Sequence, residues 1–375
     1  MGRPFRQFHI LTIMQEYEKQ TLPLDFFVGN YFRGNKAIGS KDRNYIAETV
    51  YALVRWRGLL DFTCTDGCDW GNRLDIFLSP EFSSLKHRKD IPAHVRVSFP
   101  KALFDQIVAS HGEPKAIEIC TISNGAAPTT VRVNAMKTTR EEMLVKWKEE
   151  YGVILCQQAP YGIVFPKRIN FSVMPEFRSG LFEIQDEGSQ LIAQLVGVQP
   201  GEKVMDFCAG AGGKTLAFAP QMKNTGQIYL HDVRQKALDD SRKRLRRAGI
   251  QNAQIVCSEE NKLKKLTKAM DWVLVDAPCT GTGTMRRNPD MKWKFDDAML
   301  KRLVGQQRTI FEKGLSFLKP SGYIVYATCS LLKEENQEQV AHFIKTYGLE
   351  LVGDPFESLP IFNGMDGFFG AVLKK

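Results

Sequence analysis

Long apolar runs, internal repeats and low-complexity segments are all missing from this 375-residue sequence. The apolar run near the N-terminus, residues 10–14, is shorter than the ~7 to 15 apolar residues of a signal-peptide core. No stretch approaches the roughly 18 apolar residues that a membrane-spanning helix requires. The sequence therefore predicts a cytoplasmic protein with neither a secretory leader nor a membrane span.

An ordered set of cysteines is missing as well. The eight cysteines are scattered along the chain, and thiols stay reduced in the cytoplasm. Cys64 and Cys68 are spaced like half of a zinc site, but no second pair and no nearby histidine follow at ligand spacing. We therefore expect free thiols, no metal and no disulfide.

Charge is the first positive signal. The sequence has 51 Lys and Arg against 42 Asp and Glu, a formal net charge of +9 at pH 7. This excess favours a polyanionic partner, nucleic acid before membrane, although a basic enzyme without such a partner would have the same composition.

Three regions of the chain differ in their patterning. Helical periodicity dominates residues 1–126, where Ile46, Val50, Leu53 and Val54 share one face of a predicted helix. Residues 127–180 read as a small α+β unit. Residues 181–375 alternate strands with helices, which predicts a doubly wound, mainly parallel α/β sheet with an edge hairpin at its end. Seven strands are expected there, in KVMDFCA, QIYLHD, AQIVCS, DWVLVDAP, GYIVYATC, LELV and GFFGAVLKK.

Carboxylates and thiols cluster where these predicted strands end. Open α/β sheets bind ligands beyond the carboxyl ends of their strands, so residues far apart in sequence are expected to converge at one rim. The residues at these positions are Asp206, Cys208, Asp232, Asp276, Cys279 and Cys329.

A glycine-rich turn after the first of these strands indicates a nucleoside cofactor. Gly210, Gly212 and Gly213 allow a tight turn and a close approach of the backbone to a ligand. Asp232 closes the next strand about twenty residues later, where it can accept hydrogen bonds from ribose hydroxyls. The spacing fits a dinucleotide or S-adenosylmethionine, while a tight connection without a ligand would use the same glycines.

The segment DAPCTGTGTMRRNPDMKW forms a second loop of interest. Its fourth residue is Cys279, where amino-group methyltransferases usually have a stacking aromatic, which argues against attack by an amine. Asp276 is placed to hydrogen-bond the edge of a base or to hold it against the cofactor. Phosphate contacts and a stacking face are expected from Arg286, Arg287, Lys292 and Trp293.

Two thiols at one rim indicate covalent chemistry on a pyrimidine. Carbon 5 of cytosine becomes nucleophilic once a thiolate adds to carbon 6, and a second thiol can assist release of the product. A basic, partly exposed rim favours the thiolate. The residues alone leave open whether Cys279 or Cys329 attacks, and a buried structural cysteine is the commonest alternative for either one.

Together, the motifs DFCAGAGGKT, DAPCTGTG with RRNPDMKW, YATCS and DGFFGAVLKK resemble those of RsmB/Sun-type RNA cytosine-C5 methyltransferases, and RVN and QDEGSQ match that family's lead-in to the catalytic domain. The resemblance implies that Cys329 is the nucleophile, that Cys279 assists release and that Asp276 completes the catalytic set. It also implies S-adenosylmethionine as cofactor, held by Cys208, Ala209, Gly210, Ala211, Gly212, Gly213, Lys214, Asp232 and Asp276.

Two positions depart from the family pattern. Ala211 stands where the family usually has proline, and Ser258 or Glu259 stands in for an aspartate near the adenine. The N-terminal region resembles a shortened NusB-like RNA-binding domain.

The family implies an RNA substrate, with 16S ribosomal RNA favoured and tRNA as the alternative, and a monomer is expected. Methylation of DNA cytosine or of uracil, and a non-catalytic RNA-binding assembly factor, are the rival interpretations.

Overall fold

A computed structural model describes residues 3–64, 67–167, 169–256 and 263–375 of the chain. The chain divides into two compact units. The first combines Met1–Ala126 with Thr284–Asp297, and the second comprises Ala127–Gly283 and Ala298–Lys375. The segment 284–297 thus belongs to the helical unit, an assignment for which the sequence carries no signal.

The first unit is built from helices around one apolar core. Ile46, Val50, Leu53 and Val54 are all buried in that core, which confirms the helical face expected from their spacing. The helix that carries them begins at Ser40, with Gly39 as its N-cap. The helices are α1 Phe5–Tyr17, α2 Leu24–Gly34, α3 Ser40–Thr63, α4 Trp70–Leu78, α5 Phe82–Leu85, α6 Ala93–Arg96, α7 Lys101–His111 and α8 Glu113–Ser123.

Cys64 and Cys68 form a disulfide directly after α3, so the expectation that all cysteines are free is wrong for this pair. Their two Cα atoms lie 5.6 Å apart, within the range that a disulfide spans. Cys257 lies outside the described residues. The free cysteines that the structure describes are Cys120, Cys156, Cys208, Cys279 and Cys329.

The second unit opens with a small sheet of strand order β2-β3-β1-β4, in which every pairing is antiparallel. Its element order β-α-β-β-α-β includes two short strands that the sequence analysis missed, and the last of them ends at Ile184, past the expected boundary at residue 180. A capping box between Thr139 and Glu142 starts the longer helix, which packs Trp147 into the core of this sheet. The elements are β1 Thr129–Val133, α9 Arg140–Tyr151, β2 Ile154–Leu155, β3 Gly162–Phe165, α10 Pro175–Arg178 and β4 Phe182–Ile184.

A larger, eight-stranded sheet follows, in the order β10-β12-β9-β8-β5-β6-β7, with β11 paired to β12. The five strands from β9 to β7 are parallel, and β12 is antiparallel to its neighbours. All seven expected strands are present. The last two expected strands, β10 and β12, pair antiparallel at the edge, but they are not the expected hairpin because the unexpected strand β11 lies between them and also pairs with β12. The elements are α11 Glu187–Gln194, β5 Lys203–Asp206, α12 Gly213–Phe218, β6 Gln227–Leu230, α13 Gln235–Ala248, β7 Ala253–Ile255, β8 Met270–Asp276, α14 Asp297–Phe317, β9 Leu318–Thr328, α15 Gln337–Tyr347, β10 Glu350–Leu351, β11 Phe356–Ser358 and β12 Phe368–Lys374.

Both faces of the large sheet are buried, as a doubly wound fold requires. Met205 and Val273 pack on one face against helices α14 and α15, while Val204 and Leu274 pack on the other against α12 and α13. The alternation along each strand comes from the two-residue period of β-structure. Among the described residues, no helix combines the length and apolarity needed to cross a membrane.

Candidate functional site

The two thiols singled out in the sequence are in contact. Cys279 follows β8 and Cys329 follows β9, and these neighbouring parallel strands end side by side, with Asp276 paired to Ala327. The Sγ atoms of Cys279 and Cys329 lie 3.4 Å apart, and both side chains are partly exposed. The convergence expected from the strand ends is therefore present.

A buried carboxylate ties the two thiol-bearing loops together. Glu335 is fully buried, and its Oε1 accepts hydrogen bonds from the amide of Thr280 (3.0 Å) and from Gln307 Nε2 (2.8 Å). Its Oε2 accepts from the hydroxyls of Thr280 and Ser330, each at 2.5 Å. Because Thr280 follows Cys279 and Ser330 follows Cys329, one side chain determines the spacing of both thiols.

The hydroxyl residues that flank Cys329 serve the same purpose. Thr328 Oγ1 donates to Asn336 Oδ1 at 2.6 Å, and Asn336 Nδ2 donates back to the carbonyl of Ser330 at 2.9 Å. The sequence analysis missed both Glu335 and Asn336. The available signal was two hydroxyls around a cysteine with an acid and an amide a few residues later, since short polar side chains at a strand end need buried partners.

The two thiols interact with each other and with the Lys214–Asp276 ion pair. The contact with Cys329, reinforced by burial, holds the pKa of Cys279 well above its ordinary value. Burial alone would lower the pKa of Lys214, but the adjacent Asp276 carboxylate, and more weakly Cys329, raise it. Lys214 therefore supplies a positive charge that interacts with Cys329, and a nearby ammonium favours a thiolate.

The glycine-rich turn has a backbone conformation that favours glycine at two positions. Gly210 and Gly212 have φ values of +51° and +75°, which favour glycine. A Cβ added to Gly213 would meet nothing within 4 Å, so space is open beside the turn. The amide of Gly210 donates to Asp232 Oδ2 at 2.8 Å, which joins the turn to the end of β6.

Asp232 remains ionised in this setting. Burial opposes the charge, but hydrogen bonds from the side chain and amide of Arg234 and from the amide of Gly210 lower the pKa of Asp232. At the end of β5, burial raises the pKa of Asp206 to about 7, and Thr215 donates to its Oδ2 at 2.6 Å. An ionised acceptor beside an open glycine turn fits the ribose of a nucleoside cofactor.

The remaining predicted residues occupy different settings. Cys208 and Ala211 are partly exposed and Ala209 is buried at the turn, and the carbonyl of Ala211 accepts from Arg244 Nη1 at 2.8 Å. Ser258 and Glu259 lie outside the described residues. Their contact with adenine stays a prediction.

The four residues expected to contact RNA lie in the segment 284–297 of the helical unit. Lys292 is 1% exposed and donates to the carbonyl of Arg55 and to Asn124 Oδ1, and burial holds its pKa well below the ordinary value. Arg286 is 2% exposed, whereas Arg287 and Trp293 are partly exposed. Their role in RNA binding stays a prediction, and the exposure favours Arg287 and Trp293 over the two buried cations.

The thiol contact predicts a specific oxidation product. Treating the reduced protein with diamide is expected to join Cys279 to Cys329: the two sulfurs form a bond, and the diamide takes up two electrons and both protons. Methyl transfer should fall below about a tenth and return with dithiothreitol, since only a free thiolate attacks. Peptide mapping measures the cross-link, with Cys120→Ser as the control that keeps it. A cross-link through Cys208 instead, or none at all, would contradict the contact.

Comparison with known proteins agrees with this fold. Residues 193–374 match the model of the "16S rRNA methyltransferase RsmB/F" family, and residues 99–172 match its "ferredoxin-like domain". The ribosomal RNA small subunit methyltransferase B of Vibrio cholerae is 34% identical over 69% of this chain and 61% of its own length. A mouse 28S rRNA (cytosine-C(5))-methyltransferase is 28% identical over 77% of this chain and 40% of its own. A solved methyltransferase homologue from Pyrococcus horikoshii is 29% identical, with a TM-score of 0.67 over 80% of this chain and all of that one.

The fold and the site define a Rossmann-like methyltransferase sheet preceded by a ferredoxin-like unit and a helical region. The chain belongs to the RsmB/F methyltransferase family. It spans less than two thirds of the length of most of the bacterial relatives it matches, for example 62% of the Pasteurella multocida protein.

Proposed function

We propose that this chain methylates carbon 5 of a cytosine in RNA with S-adenosylmethionine, and that its substrate is 16S ribosomal RNA. The observation that carries the proposal is the 3.4 Å contact between Cys279 and Cys329 at the rim that also holds the glycine turn and Asp232. A single thiol would suffice for attack, so a second in contact with it fits a reaction that must also release a covalent product.

Cys329 is assigned the attack on carbon 6. Its thiolate is favoured by the positive charge of Lys214, which interacts with Cys329. The new S–C bond pushes electron density onto carbon 5. Release then requires that the carbon-5 proton pass to solvent at the partly exposed rim. The C–H electrons restore the C5–C6 double bond and the S–C electrons return to Cys329 as a thiolate, a step that Cys279 assists. Asp276, paired with Lys214, is placed to hold the base.

The cofactor is assigned to the turn of residues 208–214 together with Asp232 and Asp276. When bound, S-adenosylmethionine supplies the methyl group as a sulfonium electrophile. Asp232 would accept hydrogen bonds from its ribose hydroxyls, because this carboxylate is ionised and lies beside open space at Gly213. Lys214 and Asp276 connect this turn to the end of β8, so the cofactor side and the base side of the site move together.

The choice of RNA rests on the relatives. The Vibrio cholerae protein is named for the small ribosomal subunit and the mouse protein for 28S rRNA, so ribosomal RNA is favoured over tRNA. A target in a loop or in incompletely folded RNA is favoured, because a flipped base costs least where it is unpaired.

Methyl transfer to purified RNAs tests the proposal. The full chain is incubated with methyl-labelled S-adenosylmethionine and, separately, with 16S rRNA, 23S rRNA and bulk tRNA, and the products are digested to nucleosides. The expected product is 5-methylcytidine in 16S rRNA only, absent with Cys329→Ala and present with Cys120→Ala. Label in tRNA would overturn the substrate assignment. Label in no RNA, with S-adenosylmethionine bound in calorimetry, would favour the non-catalytic factor.

A further inference from the structure

A cavity of about 140 Å³ lies between the small sheet and the start of the methyltransferase domain, away from the two thiols. β1 contributes Arg132, the β2–β3 turn contributes Tyr161, and α11 contributes Gln190 and Gln194. Gln221, which follows α12, completes the polar lining. A cationic side chain and three amides in one small cavity match a ligand with several hydrogen-bonding atoms.

Arg132 is the unusual member of this set because its charge is buried without an ionic partner of its own. It is 4% exposed, and within the described part of the chain it donates one hydrogen bond, from Nε to Gln185 Oε1 at 2.7 Å. The carboxylate opposite it in the sheet, Glu183, is already paired with Arg244 and Arg247. The two Nη groups of Arg132 therefore remain available to acceptors.

A second polar group in the cavity wall is also unsatisfied. Gln190 is 1% exposed, and its Oε1 accepts no hydrogen bond from the residues that the structure describes. Its Nε2 donates to the carbonyl of Gln185 at 3.0 Å, which holds the amide in place. Burial lowers the pKa of Arg132 to about 10, so the guanidinium is still charged at neutral pH. Buried polar groups are normally hydrogen-bonded, so the unsatisfied Oε1 shows that this polar wall lacks a complete set of partners among the described residues.

The remaining walls are apolar and suit a flat ring. Ala135, Met136, Ala217 and Pro220 line the cavity, and Tyr161, which is 41% exposed, stands at its edge. A cavity of roughly 150 Å³ holds a benzene ring in another protein, so this one has room for part of a purine, whose remainder would lie at the edge beside Tyr161. A hydrated phosphate would gain nothing from these apolar walls.

We propose that this cavity binds one unpaired guanine of the RNA substrate, with the Nη groups of Arg132 donating to O6 and N7. Arginine forks pair with these two adjacent acceptors on guanine, and the side-chain amides of Gln194 and Gln221 can meet the rest of its edge. The inference rests on the proposed RNA function. It adds a site that reads a base other than the methylated cytosine.

Binding of short RNAs tests the proposal without using methyl transfer. The probes are fluorescein-labelled 12-mers of uridine with one central guanosine, inosine, 7-deazaguanosine or adenosine, titrated with the full chain in anisotropy. Guanosine and inosine share O6 and N7, so both should bind about 5- to 100-fold more tightly than 7-deazaguanosine and adenosine.

Two variants connect any preference to the cavity. Ala217→Leu fills the cavity from a helix and should bring the guanosine-to-adenosine affinity ratio close to 1, as should Arg132→Met if that variant folds. Ala298→Leu, the same change at an exposed helical position, should keep the ratio. Equal affinity for all four probes would overturn the guanine site and leave the proposed methylation intact. A ratio unchanged in Ala217→Leu would equally reject the site, and failure to bind any of the RNAs would overturn both proposals.

Discussion

Cys279→Ala is expected to accumulate an RNA–protein adduct that survives denaturation, whereas Cys329→Ala forms none. Without the release thiol, the bond between Cys329 and carbon 6 forms and persists after methyl transfer. Without Cys329, no bond forms, and methyl transfer should fall by more than about 1000-fold, as for removal of other catalytic nucleophiles. The adduct is measured as a shifted band on a denaturing gel after incubation with RNA and S-adenosylmethionine.

The matched control for this experiment is Cys120→Ala, which changes a buried cysteine of the helical unit and should show neither adduct nor loss of turnover. Sequencing the trapped RNA names the target nucleotide. An adduct in Cys329→Ala would mean that the two roles are exchanged.

The part of the site that could be predicted from the sequence consists of residues that directly follow predicted strands. Cys279 and Cys329 are 50 residues apart in sequence, yet both follow apolar strands that read as neighbours in a parallel sheet. Parallel strands bring their carboxyl ends to one rim, so the convergence of the two thiols follows from strand assignment, whereas their contact also depends on the hydrogen bonds of Glu335. The burial of Val50 and Leu53 follows in the same way from helical spacing.

The features that could not be predicted depend on individual contacts, which leave no periodic pattern in the sequence. The segment 284–297 belongs to the helical unit through single bonds, such as Trp293 Nε1 to the carbonyl of Val54 at 2.7 Å. Strands β2 and β4, of two and three residues, are too short to show an alternating pattern. Arg132 looks like any strand residue until the structure shows that Glu183 is already paired with other arginines.

Glu335→Ala is expected to lower the free energy of unfolding by about 3 to 5 kcal/mol, because the amide of Thr280, two hydroxyls and Gln307 Nε2 lose a buried acceptor. Methyl transfer should fall more than about 100-fold, since the loops carrying Cys279 and Cys329 are no longer held together. Affinity for S-adenosylmethionine should change little, because Asp232 and the glycine turn make no bond to Glu335. Chemical denaturation measures the free energy of unfolding, a turnover assay measures methyl transfer, and calorimetry measures the affinity for S-adenosylmethionine.

Glu335→Gln separates the positioning role from general destabilisation. Its amide can keep four partners if the hydroxyls of Thr280 and Ser330 turn to accept, so most of the turnover and of the diamide cross-linking rate should return.

Burial, only partly offset by hydrogen bonds from Ser330, Thr280 and Gln307, raises the pKa of Glu335. A raised folded-state pKa gives stability that is complete below the unfolded value of about 4.3 and is lost as pH rises through the folded value. The stability of Glu335→Gln relative to the native chain should therefore increase as pH rises. If Glu335→Ala cross-links Cys279 to Cys329 as fast as the native chain, this carboxylate does not position the thiols.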